Sequence, residues 1–175
     1  MRALQTRRLS LQPFVVADTD GLFSIRGDKT AMAHWDWPGD TDIEQTRAVA
    51  QLFVADMKRA TSSYWTVRTR PGDEFVGVVD LSDQASGQAD VGFMIKRELW
   101  GQGYASEALG AMIDEAWAIG LELLTARAHA DNDRSTRLLN RLGFREVALR
   151  PVEIRPGVTR ECRFFELKKA YGRET

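Results

Sequence analysis

The most regular hydrophobic pattern in the chain is a helical one, which runs from Ala105 to Ile119 and is followed by Gly120. Its apolar positions recur at spacings of three and four residues, which places them on one side of a helix. They are Ala105, Ala108, Leu109, Met112, Ile113, Ala116 and Ile119. The pattern predicts an amphipathic helix that packs against a sheet and ends at Gly120.

Three further helices are predicted from start and stop signals. Thr41 and Glu44 have the spacing of a capping box, ahead of a helix that runs to about Ala60. The other two run from Ala17 to Arg26, closed by Gly27, and from Ser135 to Leu142, closed by Gly143 with Phe144 folding back. The chain is therefore predicted to contain about four helices.

Strands are predicted where β-branched and aromatic residues alternate with polar ones. The segment from Ala89 to Ile95 places Val91, Phe93 and Ile95 on one face. The other predicted strands are Leu9 to Phe14, Tyr64 to Thr69, Phe75 to Leu81, Leu124 to Ala130, Glu146 to Ile154 and Thr159 to Leu167. Pro71-Gly72 and Pro156-Gly157 are predicted centres of type II turns in two hairpins, and Ser82 to Gln88 is a predicted loop.

This order of elements predicts an α+β (mixed α/β) fold. We expect a central, mostly antiparallel, twisted sheet of about seven strands, flanked by about four helices, with at least one right-handed crossover. Neither an internal repeat nor a Pro/Ser-rich linker interrupts the 175 residues. We therefore predict one domain over residues 1–175.

Composition narrows the functional classes. A formal net charge of -1 with 28% charged residues argues against nucleic acid as a partner. The sequence has no run of 18 apolar residues and no signal-peptide pattern, so neither a membrane partner nor secretion is expected. One cysteine, Cys162, and two histidines far apart in sequence, His34 and His129, predict no metal site and suit the cytoplasm.

The candidate for ligand binding is the glycine turn Trp100-Gly101-Gln102-Gly103-Tyr104-Ala105 between the strand and the long helix. Two glycines allow backbone N–H groups to point into one concavity, and the helix N-terminus adds attraction for an anion such as pyrophosphate. A plain helix cap remains an alternative. A dinucleotide fingerprint fits poorly because Ser106 replaces its third glycine, and no Gly-Lys-Ser/Thr follows for a P-loop.

Four segments in this order resemble the GCN5-related N-acetyltransferases, and among them the branch similar to RimJ and RimL, which acetylate ribosomal-protein N-termini. The segments are Thr6 to Pro13, Val91-Gly92-Phe93-Met94-Ile95, Trp100 to Leu109, and Asn132-Asp133-Arg134-Ser135 to Leu142-Gly143-Phe144. One departure is Trp100, which replaces the first polar residue of the family's coenzyme loop, whereas Gly103 and Ala105 match.

The resemblance implies an acetyl-CoA-dependent transferase, with the coenzyme as co-substrate. Its predicted coenzyme-binding residues are Phe93, Met94, Ile95, Trp100, Gly101, Gln102, Gly103, Tyr104, Ala105, Ser106, Asn132 and Ser135. Many family members carry a tyrosine as the acid for the leaving thiolate. Leu139 stands at the matching position, so Ser135 is our candidate catalytic acid.

The predicted reaction is direct attack by a primary amine in a ternary complex, since the chain has neither a Gly-x-Ser-x-Gly elbow nor a Cys/His pair. Asp90 is the first candidate base, although it could equally orient backbone. Asp80, His34 and Glu153 remain open as alternatives.

The acceptor is predicted to be a protein N-terminal α-amine or a small-molecule amine. Trp35 and Trp37 form either an acceptor wall or the edge of the core, and Arg134, Arg137 and Arg141 either meet coenzyme phosphates or form a solvated face. A homodimer is one option. A different class of function, an acyl-CoA-binding sensor or complex subunit with weak catalysis, is the alternative.

Overall fold

The computed structural model describes residues 1–170, which form one eight-stranded sheet with four α-helices. The strands are β1 (Leu4–Gln5), β2 (Leu9–Pro13), β3 (Ser63–Thr69), β4 (Phe75–Ala85), β5 (Gln88–Ile95), β6 (Leu123–His129), β7 (Arg145–Arg155) and β8 (Val158–Lys168). The helices are α1 (Thr19–Arg26), α2 (Ile43–Lys58), α3 (Tyr104–Ala118) and α4 (Asp133–Arg141). The predicted α+β class is confirmed, and the short β1 raises the expected seven strands to eight.

The strand order is β1-β2-β3-β4-β5-β6-β8-β7. Every neighbouring pair is antiparallel except β5 and β6, which are parallel and connected through α3. This confirms a mostly antiparallel sheet with one crossover. None of the helices in residues 1–170 is long and apolar enough to cross a membrane.

Two hydrophobic clusters hold helices to the sheet. The larger one includes Leu109 and Met112 of α3 and Leu139 of α4, all at most 1% exposed. The smaller cluster contains Phe14, Leu22, Ala50, Tyr64 and Val78, and it packs α1 and α2 against the sheet. The amphipathic pattern of α3 is thereby confirmed, except that Ile119 caps the helix and is 51% exposed.

Two predicted helix ends differ in the structure. Asp42, not Thr41, is the N-cap of α2, because its carboxylate accepts from the Glu44 backbone N–H at 2.9 Å. The predicted capping box of Thr41 and Glu44 was therefore wrong. Gly27 has a φ of -80°, so α1 ends without the left-handed glycine stop that we expected. Gly143 has that conformation, with a φ of 89°.

The hairpin turns also differ from one another. Gly72 lacks the positive φ that a type II turn requires, so the first predicted turn was wrong. At the second turn, Gly157 has a φ of 74°. The loop predicted from Ser82 to Gln88 is mostly strand, because Ser86 and Gly87 both take positive φ and connect β4 directly to β5.

Candidate active site

A wedge opens between the two parallel strands at the centre of the sheet. The register of β5 with β6 runs from Gln88 to Asp90 and stops there, at the pair Asp90–Thr125. On its other side, β5 stays paired with β4 as far as Ile95. The second half of β5 therefore has one free backbone edge, which faces β6 across the wedge.

The hydrogen bonds at the end of β5 show which residues present this free edge. The Lys96 N–H donates to the Val76 carbonyl at 2.9 Å, so residue 96 points towards β4. The Ile95 carbonyl instead accepts from the indole Nε1–H of Trp100 at 2.8 Å. The backbone N–H and C=O groups of successive residues alternate between the two edges of a strand. The groups of odd-numbered residues in β5 therefore point away from β4.

The Val91 N–H belongs to the last β5–β6 rung, at Asp90–Thr125, whereas the Val91 C=O and both the N–H and the C=O of Phe93 face the wedge without a strand partner. Buried backbone groups require hydrogen-bond partners, and an extended amide chain inserted between the strands would supply them. The Met94 carbonyl points the other way, since a Cβ at Gly77 would lie 2.0 Å from its oxygen. Of the predicted trio, Phe93 presents both its N–H and its C=O to the wedge, and Ile95 presents its N–H alone because its C=O is bound by Trp100. Val91 was missed, although the parity of the strand identifies it.

The glycine turn after β5 forms an anion cradle. Gly101 and Gly103 have φ values of 78° and 83°, which side chains with a Cβ rarely adopt. Gly103 is the N-cap of α3, and no side chain caps this helix end within residues 1–170. The first N–H groups of α3, from Tyr104 to Ser106, therefore remain free for a ligand. Such donors and the helix dipole suit a pyrophosphate.

Glu107 in the first turn of α3 would oppose an anion, but its charge is compensated. Its carboxylate accepts from the Thr6 hydroxyl at 2.5 Å and from the Arg8 Nε–H at 2.7 Å. Burial raises the pKa of Glu107, yet these hydrogen bonds outweigh burial and hold that pKa below its usual value. Arg8 also donates to the Gln102 carbonyl at 3.1 Å, which fixes the turn.

Trp100 connects the glycine turn to α4. Its indole N–H is bound to β5, and the guanidinium of Arg134 lies over its ring at 3.7 Å from the centroid. The indole thus holds a cation beside the cradle, a site where the family's loop usually has a polar side chain. By contrast, Arg137 lies 3.9 Å from the exposed Asp133 on the same helix.

Asn132 and Ser135 lie at the start of α4. The Asn132 Oδ1 caps the helix by accepting from the Ser135 backbone N–H at 3.1 Å, which leaves the Asn132 Nδ2 and the Ser135 hydroxyl to interact with a ligand. Both residues line the central cavity. Leu139 is 1% exposed and belongs to the hydrophobic core, so this position supplies no acid.

A cavity of about 940 Å³ extends from the wedge to the loop between α1 and α2. One part of the cavity lies beside the wedge and is lined by residues of β5, β6 and the start of α4, namely Phe93, Met94, Ala128, His129, Asn132 and Ser135. The opposite part is lined by His34, Trp35, Asp36, Trp37, Asp40, Leu52, Phe53, Tyr64 and Asp80, among others. The structure thus brings Trp35 and Trp37 to the cavity.

Asp80 lies on β4 where the two parts of the cavity meet, paired with Gly92 of β5 and Tyr64 of β3. A Cβ on residue 92 would lie 2.3 Å from the Asp80 Oδ1, so Gly92 makes room for the carboxylate. Burial raises the pKa of Asp80 to about 7, against a smaller lowering by the Ser82 hydroxyl. Burial and the Asp80 charge also raise the pKa of Tyr64, to about 12.

The other candidate bases lie differently. Asp90 accepts from the Thr125 hydroxyl at the last paired rung of β5 and β6, and it is absent from the cavity lining. Glu153 accepts from the Gly157 N–H at 2.8 Å in the β7–β8 turn. His34 lines the cavity and lies 3.3 Å from Asp131. Among the four, Asp80 combines a cavity position with a perturbed pKa.

The two histidines, distant in sequence, meet at the cavity. His129 contacts Asp36 at 3.3 Å, and Arg127 pairs with the same carboxylate, which fastens the α1–α2 loop to β6. Ligand atoms of His34, His129 and Asp131 all lie within 4.8 Å of one another. Two imidazoles and a carboxylate are ligands that zinc accepts. The sequence prediction missed this grouping, because only the fold brings these residues together.

Comparison with known proteins agrees with this geometry. Residues 8–145 match the family model described as an acetyltransferase (GNAT) domain. The uncharacterized N-acetyltransferase p20 of Bacillus licheniformis is 29% identical over 173 residues, which cover 97% of each chain.

Solved structures share the fold. A RimL ribosomal L7/L12 α-N-protein acetyltransferase in complex with coenzyme A has a TM-score of 0.85 at 18% identity, with 95% of this chain and 97% of that chain covered. Spermidine N-acetyltransferase from Vibrio cholerae, in complex with CoA and spermine, has a TM-score of 0.81 at 15% identity, with 93% and 96% covered. From the family match, the chain belongs to the GNAT acetyltransferase family and is an N-acetyltransferase.

Proposed function

We propose that this chain transfers the acetyl group of acetyl-CoA to a primary amine, by direct attack of the amine in a ternary complex. The observation that carries the proposal is the wedge beside the glycine cradle. The free backbone edge from the Val91 C=O to Phe93 suits the amide-bearing pantetheine arm, and the N–H groups of Tyr104 to Ser106 suit the pyrophosphate. Acetyl-CoA supplies an activated thioester, and no metal enters this mechanism.

Asp80 is our proposed general base, in place of Asp90. Its side chain lines the cavity on the acceptor side, and a pKa of about 7 matches the ideal for proton transfer near neutral pH. The amine nitrogen attacks the acetyl carbonyl carbon, the carbon–sulfur bond breaks, and the amine's proton passes to Asp80.

Two groups handle the charge that this step creates. The backbone N–H of Phe93 at the free edge would stabilise the carbonyl oxygen, an effect worth about 2.7–4 kcal/mol per donor in other acyl-transfer sites. Ser135 is the proposed donor of a proton to the leaving thiolate, because it lines the cavity and its backbone alone is used in the cap. A proton from solvent in the cavity restores the Ser135 hydroxyl as it is given up.

The proposed acceptor nitrogen is an α-amine. An α-amine has a pKa of about 7.7–8.0, against about 10.4 for lysine, so a base with a pKa near 7 deprotonates it more readily. The RimL neighbour is named for such an acceptor and the spermidine enzyme for another kind, so the fold alone does not choose. We further propose a cytoplasmic enzyme with one domain over residues 1–175, and leave a homodimer as an option.

Two measurements test this proposal. Acetyl-CoA should raise the Tm, and a thiol-detection assay with peptides, amino acids, polyamines and aminoglycosides should give turnover with at least one amine. The absence of any shift in Tm at millimolar acetyl-CoA would contradict coenzyme binding. Binding without thiol release from any amine would favour the alternative of a sensor or complex subunit.

A further inference from the structure

Large apolar side chains are exposed at the acceptor end of the cavity. Trp37 and Leu52 are each 59% exposed, and both line the cavity. Exposed apolar surface grouped around a concavity marks a binding site, whereas isolated apolar residues do not. Trp37 lies on the α1–α2 loop and Leu52 on α2, so the fold places them together from separate elements.

The cavity wall next to these two residues is built from packed aromatic rings. The Phe53 ring stacks on the Tyr64 ring at 4.0 Å with an angle of 10° between their planes, and Phe14 packs edge-on against Phe53 at 5.5 Å. Phe53 and Tyr64 also line the cavity. A preformed apolar wall costs little reorganisation when a ligand group packs against it.

The charges of the cavity argue against a polycationic acceptor. Asp40 receives two hydrogen bonds from Arg26, at 2.7 and 3.0 Å, and both of these side chains are only 8% exposed. Asp36 pairs with Arg127 and contacts His129. Two of the three carboxylates in the described lining are thus already paired with arginine. Asp80 is the one that remains to interact with an ammonium group of the acceptor.

We infer that the acceptor is a primary amine with one positive charge and a bulky apolar group a few bonds from the nitrogen. This inference rests on the proposed function. The apolar group packs against Trp37 and Leu52 while the nitrogen faces Asp80. A peptide with an apolar first residue and a small apolar α-amino compound share this chemistry, and a polyamine does not.

The test compares kcat/KM for three amides of equal charge and for one polyamine. Glycinamide, leucinamide and phenylalaninamide differ in the apolar group alone, and spermidine supplies additional charge. We expect leucinamide or phenylalaninamide to exceed glycinamide by at least about tenfold, the order of discrimination that hydrophobic pockets achieve. Spermidine should fall below both. Tripeptides that begin with Gly, Leu or Phe then distinguish a protein N-terminus from a small molecule.

Variants connect this preference to the proposed wall. Leu52→Ala and Trp37→Ala should each lower the ratio of kcat/KM for leucinamide or phenylalaninamide to kcat/KM for glycinamide by about three- to tenfold. Leu149→Ala is the matched control, because Leu149 is 47% exposed on β7 outside the cavity lining. All three positions are exposed, and an unchanged Tm checks that the variants fold.

Three results would overturn the inference about the acceptor: equal kcat/KM for all amides, a preference for spermidine, or the same loss of preference in Leu149→Ala. In each case the measured turnover would still support the proposed acetyltransferase activity. If acetyl-CoA binds but no amine is acetylated, the proposed function itself fails. The two failures are therefore distinguishable in one set of assays.

Discussion

The guanidinium of Arg134 lies 3.7 Å from the centroid of the Trp100 ring, so the first turn of α4 is joined to the glycine turn that precedes α3. The Trp100 indole N–H is in turn bound to the Ile95 carbonyl at the end of β5. One aromatic side chain thus connects the strand, the cradle and a cation.

Arg134→Ala should weaken acetyl-CoA binding, because it removes a cation beside the proposed pyrophosphate site. An exposed ion pair is worth about 0.2–1 kcal/mol, which corresponds to a loss of up to about fivefold in Kd. Arg137→Ala is the control, since Arg137 lies near the exposed Asp133 of the same helix. Isothermal titration measures both. An equal loss in the two variants would show that α4 acts only as a diffuse basic face.

Gly103→Val should abolish coenzyme binding at accessible concentrations. A β-branched residue at a φ of 83° is strained, and its Cβ would lie 3.3 Å from the Arg8 Nη2, whose neighbouring Nη1 donates to the Gln102 carbonyl. Gly157→Val is the matched control, with a φ of 74° in the distant β7–β8 turn. Both should lower the Tm, but normal acetyl-CoA affinity in Gly103→Val would refute the cradle.

Asp80→Asn should lower kcat by about 100-fold or more, the order of a general base, and remove a rise in rate centred near pH 7. The Asp80 carboxylate must lose its proton to act, so the wild-type rate should increase with pH through this value. Asp90→Asn is the control and should change kcat less than about threefold. A large loss of kcat in Asp90→Asn with a small loss in Asp80→Asn would identify Asp90 as the general base instead.

The same substitution should stabilise the fold above neutral pH. Because the folded-state pKa of about 7 exceeds the ordinary 3.8, the folded chain binds more protons than the unfolded chain between these values. The free energy of unfolding therefore falls as pH rises from about 4 to about 7. At pH 8 the Tm of Asp80→Asn should exceed the wild-type Tm by about 2–4 °C, the shift for about 1 kcal/mol in a chain of this size. A lower Tm at pH 8 would contradict the burial of a charged Asp80.

Ser135→Ala should slow turnover while acetyl-CoA affinity changes little, because the α4 cap uses only the backbone N–H of Ser135. We expect a drop in kcat of about tenfold or more, with Ser135→Thr retaining the hydroxyl and most of the rate. Stopped-flow measurement of thiol release separates chemistry from binding. An unchanged rate in Ser135→Ala would remove Ser135 as the proton donor.

Local patterns were sufficient for much of the fold. The spacing of apolar residues predicted α3, and the Gly143-Phe144 signal predicted the end of α4, where the Phe144 N–H bonds to the Leu139 carbonyl at 3.1 Å. The N-cap of α2 failed because Thr41 and Asp42 are both good caps, and only the geometry of the Asp42 carboxylate decides between them.

Features that depend on distant contacts were not accessible from the sequence. Asp80 gains its raised pKa from burial on the sheet, with room left by Gly92 on the adjacent strand. His129 meets Asp36 across 93 residues of chain. The wedge itself depends on where the β5–β6 register stops, and no periodic pattern marks that point.

The most direct test of the central claim is mass spectrometry of the enzyme and the acceptor during turnover with acetyl-CoA and leucinamide. We predict that the amide gains one acetyl group on its α-nitrogen, in step with thiol release, while the mass of the enzyme stays unchanged. An acetylated enzyme that accumulates before the product would contradict direct attack. Coenzyme binding with no acetylated amine, for leucinamide and for every other amine of the panel, would contradict amine acetylation itself.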